Sequence, residues 1–181
     1  IGGVINFIKE KPAPIGTVSG DYNMQFFSNT LGMTNNLGIK GASKKFFGGI
    51  RVGQKTNADF LQGGGEFAPN TRFNEYSVKA NTGFTDKIGT FKLYYDYNNQ
   101  KLGLVEDEAI AAISERGRKN DIWFQEFNTH LLSSQNKLYF GNFKLDVNSA
   151  YQNTELVHFG EVNVYELQMQ LATFTYEAKL H

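Results

Sequence analysis

The chain has 181 residues, with 18 Lys and Arg against 18 Asp and Glu. That is length enough for a sizeable core, without the basic excess that nucleic acid demands. There is no cysteine, which excludes a disulfide frame, a thiolate metal site and a cysteine nucleophile. Mean hydropathy is −0.40 and no run approaches the roughly 18 apolar residues of a spanning helix, but a membrane barrel is apolar only at alternate residues, so an average does not exclude it.

With 16 Phe, 9 Tyr and only 3 Pro, the composition favours strands. Residues 1–9 read as a short apolar strand led by Gly2 and Gly3 and closed by Lys9, Glu10, Lys11 and Pro12. No initiator Met or basic leader precedes it, and residues 173–181 read as mid-strand, so both ends read as cut. After Pro14, residues 17–26 alternate, with Val18, Gly20, Tyr22, Met24 and Phe26 opposite Ser19, Asp21, Asn23 and Gln25. Period-2 strands follow over 31–40, 46–55, 73–84 and 88–98. In the last, Phe91, Leu93, Tyr95 and Tyr97 oppose Lys92, Tyr94, Asp96 and Asn98.

Two long breaks interrupt the pattern. Residues 57–72 form a glycine-rich loop around Gly63, Gly64 and Gly65, which lacks the Lys-Ser or Lys-Thr of a phosphate loop. Residues 103–121 form the longest break, and Val105, Ala109, Ala112 and Ile113 predict a short amphipathic helix within 105–116. Strands resume over 122–140 and 143–152, a loop is expected over 154–164, and the last strand covers 165–181. Its apolar parity changes between Leu171 and Phe174, where a bulge is expected.

The reading is all-β: about eight antiparallel strands in up-and-down order, with short turns on one side and longer loops on the other. Strands of ~10 to 13 residues exceed those of ordinary globular sheets and match the ~9–11 tilted residues that cross a bilayer. Phe46, Phe84, Phe91, Phe140 and Phe143 flank the short turns like an interfacial girdle. The opposite faces carry Asp21, Lys40, Arg51, Lys79, Lys92, Asp96, Lys144 and Asp146, as a watered lumen allows. An open sheet leaves its edge N–H and C=O groups unpaired in lipid, so a transmembrane β-barrel must close, either by these eight strands on themselves or by strands beyond them.

The run Gly2-Gly3-Val4-Ile5-Asn6-Phe7-Ile8-Lys9, followed by a Lys-Pro linker and barrel strands, resembles the end of the plug of TonB-dependent outer-membrane receptors. The segments Asn128-Thr129-His130-Leu131-Leu132 and 144–152 resemble the mid-barrel of Bacteroidota-type receptors for iron-siderophores or cobalamin. The resemblance implies residues 1–12 as the C-terminal end of a plug and 13–181 as the N-terminal part of a plugged, 22-stranded barrel in the bacterial outer membrane. It implies energy-coupled uptake of a siderophore, haem or cobalamin, with lipid and an inner-membrane TonB complex as partners. It implies no enzyme activity and no cofactor.

The residues themselves offer little chemistry. His130, His158 and His181 show no metal-ligand spacing, and no catalytic constellation is present. Candidate ligand contacts are Glu106 and Asp107 in the longest loop, Arg116 and Arg118 beside them, Trp123 after them, and His158 in the last loop. Each has a plainer role: solvated acids, loop solubility or pairing with those acids, interfacial anchoring for Trp123, and a surface histidine. Two other readings stand beside the receptor: a small passive outer-membrane barrel, porin-like or structural, and a soluble β-barrel that binds an apolar ligand.

Overall fold

The computed structural model describes residues 9–161 and 164–181. The glycine-led strand expected over residues 1–8 lies outside the described residues. Eight strands form one antiparallel sheet in the order β1-β2-β3-β4-β5-β6-β7-β8. They are β1 Thr17–Phe27, β2 Gly32–Ala42, β3 Phe46–Asn57, β4 Phe73–Asp86, β5 Gly89–Gly103, β6 Phe124–Phe140, β7 Phe143–Phe159 and β8 Tyr165–Leu180. Among the described residues the sheet does not close: β1 pairs only with β2, and β8 only with β7.

The predicted order stands, with three corrections. β5 runs on to Gly103 and β7 to Phe159, because their ends pair fully with β6 even where apolar alternation has faded. The loop expected over 154–164 therefore shrinks to the residues after Phe159. The predicted helix is a six-residue α1, Asp107–Ala112, with buried Ala109. The bulge expected between Leu171 and Phe174 is absent. The β7–β8 ladder runs unbroken from Leu145 opposite Leu180 to His158 opposite Leu167, and its irregularity falls at His158 and Phe159.

The short connections, 43–45, 87–88 and 141–142, lie at one end of the sheet; 28–31, 58–72, 104–123 and 160–164 lie at the other. Gly141, at φ 58°, takes the first central position of a two-residue hairpin, a conformation that costs glycine least. Alternation fixes the faces, since directly opposed residues share one. The row Gly20, Ile39, Ile50, Ala80, Tyr95, Leu132, Tyr151 and Phe174 crosses all eight strands on the apolar face. All five phenylalanines expected at the short turns share that face, with Phe46 and Phe84 rings 5.0 Å apart.

No second layer among the described residues covers this face. Among the described residues, only seven hydrophobic residues are buried, three of them alanines besides Ala13, while large apolar side chains from Val18 to Leu180 stand exposed. The hydrogen-bonded ladder, rather than a packed core, holds the wall together. No helix among the described residues is long and apolar enough to cross a membrane.

Candidate functional site

Polar side chains converge in two places: on the polar face of the wall, and among the loops at its far end.

On the polar face, the linker 9–12 lies across the sheet. Arg51 of β3 reaches over Gly38 of β2 to Asp21 of β1, with Nη2–Oδ1 at 2.7 Å and Nη1–Oδ2 at 2.8 Å. It also donates to Asn36 Oδ1 at 2.7 Å and to both oxygens of Glu10 at 3.2 Å. Gly38 makes this reach possible: a Cβ there would lie 2.5 Å from Arg51 Nη2, well inside van der Waals contact. Lys40 Nζ sits 2.9 Å from Glu10 and donates to the Lys11 carbonyl at 3.0 Å. Lys9 Nζ meets Asp96 at 2.6 Å, 5.3 Å above the Tyr94 ring. The linker thus passes from β2 to β5, held by three charged side chains of the wall, Lys40, Arg51 and Asp96. Arg51 foremost, then Lys40, holds the Glu10 carboxyl below its ordinary value, because both stabilise the anion.

At the loop end, Asp59 is fully buried and its partner Arg72 only 11 % exposed. The Asp59 carboxylate accepts from Arg72 Nη2 at 2.6 Å, Arg72 Nε and backbone N at 3.0 Å, and Gly117 N at 3.1 Å. A buried charge so fully satisfied is tolerable; one with a partner missing is not. Asn70, also buried, donates to the carbonyls of Leu104 and Trp123 at 2.8 and 2.7 Å. Asn74 donates to Arg118 O and Asn120 Oδ1. Three non-glycine residues adopt left-handed backbone here: Leu31 (φ 44°), Asn70 (φ 56°) and Trp123 (φ 41°). That conformation costs roughly 1–3 kcal/mol each and persists only when neighbours enforce it.

The predicted ligand residues fall in three places. Arg116 and Arg118 do not pair with Glu106 or Asp107. Arg116 donates to the carbonyls of Asp59, at 2.7 Å, and Asn29; Arg118 donates to that of Leu31. Trp123 closes the same knot through its backbone, donating to Gly160 O at 2.6 Å and accepting from Leu104 N at 2.8 Å. Glu106 takes the N-cap position of α1 without a side-chain capping bond, and Asp107 opens the helix. His158 sits apart on the polar face, with Nε2 3.3 Å from Glu166 Oε2 but without the alignment of a hydrogen bond. The six do not form one site. Sequence reasoning missed Asp59, Arg72 and Asn70, whose partners are one another's side chains or loop backbone atoms that no spacing reveals. It placed Asp21, Lys40, Arg51 and Asp96 on one watered face, and only the linker position was needed to join them.

Compared with models of known protein families, with curated proteins and with solved structures, the chain matches none.

The apolar band also moves along the sheet. On β1 it runs from Val18 up to Phe26; on β8 it runs from Phe174 down to Leu180. The row that holds Tyr22, Leu37, Val52 and Val78 continues as Tyr97, His130, Asn153 and Ala172. Towards the loops on β6–β8, this same face becomes polar, with Asn128, Glu155, Gln170 and Gln168. The opposite face there becomes apolar, with Phe127, Leu156, Met169 and Leu171. The change of parity in β8 is thus an exchange of faces in a continuous ladder.

Proposed function

We propose that this chain forms part of the wall of an outer-membrane receptor of the TonB-dependent kind, which imports a scarce nutrient such as an iron-siderophore, haem or cobalamin. The observation that carries the reading is the two-sidedness of the wall. One face presents an uncovered apolar band edged by phenylalanines, as a lipid-facing surface requires. The other presents charges that hold the linker, as a watered interior containing more chain requires.

Two features add support. The band slips by roughly four to six residues over seven strand spacings, a slope of about 20–30°, shallower than but in keeping with the ~35–45° tilt of barrel strands. The exchange of faces in β6–β8 fits strands that leave the bilayer, where the outer side meets water. An uncovered apolar band speaks against the soluble barrel, whose apolar side would face inward. The passive eight-strand barrel requires β1 to pair with β8, and they do not; strands elsewhere in a larger ring would satisfy both edges.

The test uses cells that make the intact protein. It should fractionate with the outer membrane, and uptake of labelled ferric siderophore, haem or cobalamin should stop when a protonophore collapses the proton gradient. Uptake that persists without the gradient would favour the passive barrel, and recovery in the soluble fraction would overturn both membrane readings.

A further inference from the structure

At the short-turn end of the polar face, β5 to β8 carry more cations than their carboxylates pair. Lys92 stands opposite Gln135, and Lys137 stands between Thr90 and Asp146. Lys179 is opposite Asp146, and Glu177 opposite Asn148. Each of the two carboxylates already has its lysine: Lys144 Nζ lies 2.7 Å from Asp146, and Lys179 Nζ 2.7 Å from Glu177. His181 Nε2 stands 3.2 Å from the same Asp146 oxygen. Lys92 and Lys137 make no ion pair among the described residues, which include every Asp and Glu of the sequence.

We propose that Lys92, Lys137, Gln135 and Thr90 form a binding site for a phosphate group. The four occupy two adjacent rungs of β5 and β6 on one face, so the lysines are diagonal neighbours with Cβ atoms roughly 7–8 Å apart. Two ammonium groups that close repel each other unless an anion lies between them. Every side chain of the quartet can donate: two ammoniums, one amide and one hydroxyl. The Thr90 hydroxyl also meets that of Thr85 at 3.3 Å, and can accept there while donating to the anion. A groove of about 290 Å³ opens beside the quartet and runs on to Asn148 and Lys179, the volume of roughly ten waters. A second groove joins Lys92 and Gln135 to Lys11 of the linker. Lysines act as point charges without the planar fork that arginine offers a carboxylate. A phosphate group spreads a charge of about −1.5 to −2 over several acceptor oxygens, which such a ring of donors can share. The inference stands apart from the transport role, since it uses only the register, the ion pairs and the groove.

The intact protein, at low salt, would be titrated calorimetrically with inorganic phosphate and, separately, with glycerol phosphate. Both should bind saturably, since they share the phosphate group; tighter binding of the ester would assign the groove to a phosphorylated molecule. Lys92→Gln and Lys137→Gln should each weaken binding about tenfold. Lys44→Gln, which removes the same charge from the turn between β2 and β3, should leave it unchanged. No saturable binding of either probe would overturn the proposal. So would an equal loss in all three variants, which would make the effect one of net charge. A second arm needs no variant. Acetic anhydride acylates accessible amines, and phosphate should slow its reaction at Lys92 and Lys137 but not at Lys44, read by mass spectrometry of the peptides. Rates unchanged by phosphate would also overturn it, as would lysines that resist acylation before phosphate is added, because a carboxylate from elsewhere would then already hold them.

Discussion

In the wall, Tyr176 is exposed on one face and Thr175 on the other; in the loop knot, Asp59 and Asn70 are sealed from solvent. The wall has long regular ladders and almost no buried side chains, whereas the knot has little regular structure and its largest fully buried groups. The difference separates two ways of being stable. The knot satisfies its own polar groups and needs nothing around it. The wall pairs its strands along seven ladders but leaves its apolar band uncovered on one side, with the linker lying across the other. Substitutions in the knot should therefore act alike in any solvent, and substitutions in the wall should depend on face and height.

The largest effect is expected at Asp59. Asp59→Ala strips a nearly buried Arg72 of its partner and should cost about 3–5 kcal/mol in local stability. Proteolysis of loops 58–72 and 104–123 should rise with it, while ladder hydrogen exchange in β6 and β7 stays near the parent. A cost within experimental error would mean that the knot is hydrated. The next effect compares two heights on one face of β7. Val147 lies within the apolar band and Asn153 above it. In lipid vesicles, Val147→Arg should cost ~2–4 kcal/mol and Asn153→Arg no more than ~1, read from denaturant-induced unfolding. Equal costs would remove the distinction between band and emergent strand.

The wall was the more legible region because alternation is a local signal. Phe91, Leu93, Tyr95 and Tyr97 announce their face without knowledge of their partners. Legibility failed where the apolar side chains change face. Leu171 and Phe174 look out of phase, and a bulge is the local explanation; only the register shows that the ladder is continuous there and that the two lie on opposite faces. The knot was hardly legible. Asp59 sits in a glycine-rich stretch that reads as loose, and its partners Arg72 and Gly117 are fixed by tertiary geometry. Arg116 and Arg118 read as free loop cations because nothing in their neighbourhood announces the carbonyls they serve.

A smaller effect tests how the wall's polar face is built. Gly38→Ala pushes a methyl into the Arg51 guanidinium and should cost about 1 kcal/mol, the worth of one displaced hydrogen bond. The same substitution in an Arg51→Ala background should cost almost nothing, since the clash is gone. A cost unchanged by Arg51→Ala would assign the effect to β2 itself and separate Gly38 from the linker anchor.

The smallest effect should come from Glu10, because its 40 % exposed side chain leaves the ion pairs largely screened, at ~0–1 kcal/mol. Its sign is nevertheless definite. Arg51 and Lys40 lower the carboxyl's pKa in the folded state, so the anchored linker binds fewer protons than the released one. The stabilisation is present in full above the ordinary glutamate value of 4.5 and is lost as pH falls through the lowered one. A nitroxide on Lys11→Cys should be immobile near neutrality and gain motion as pH drops below about 4.5. With Glu10→Gln it should be equally mobile at both ends of that range. A spectrum unchanged by acid in the parent would show that the Lys9–Asp96 pair and the Lys40 bond to the residue-11 carbonyl hold the linker without Glu10. In the knot, which needs no surrounding medium, Asp59 carries several kilocalories; on the wall, Glu10 shares its partners with water and can only bias where the linker rests.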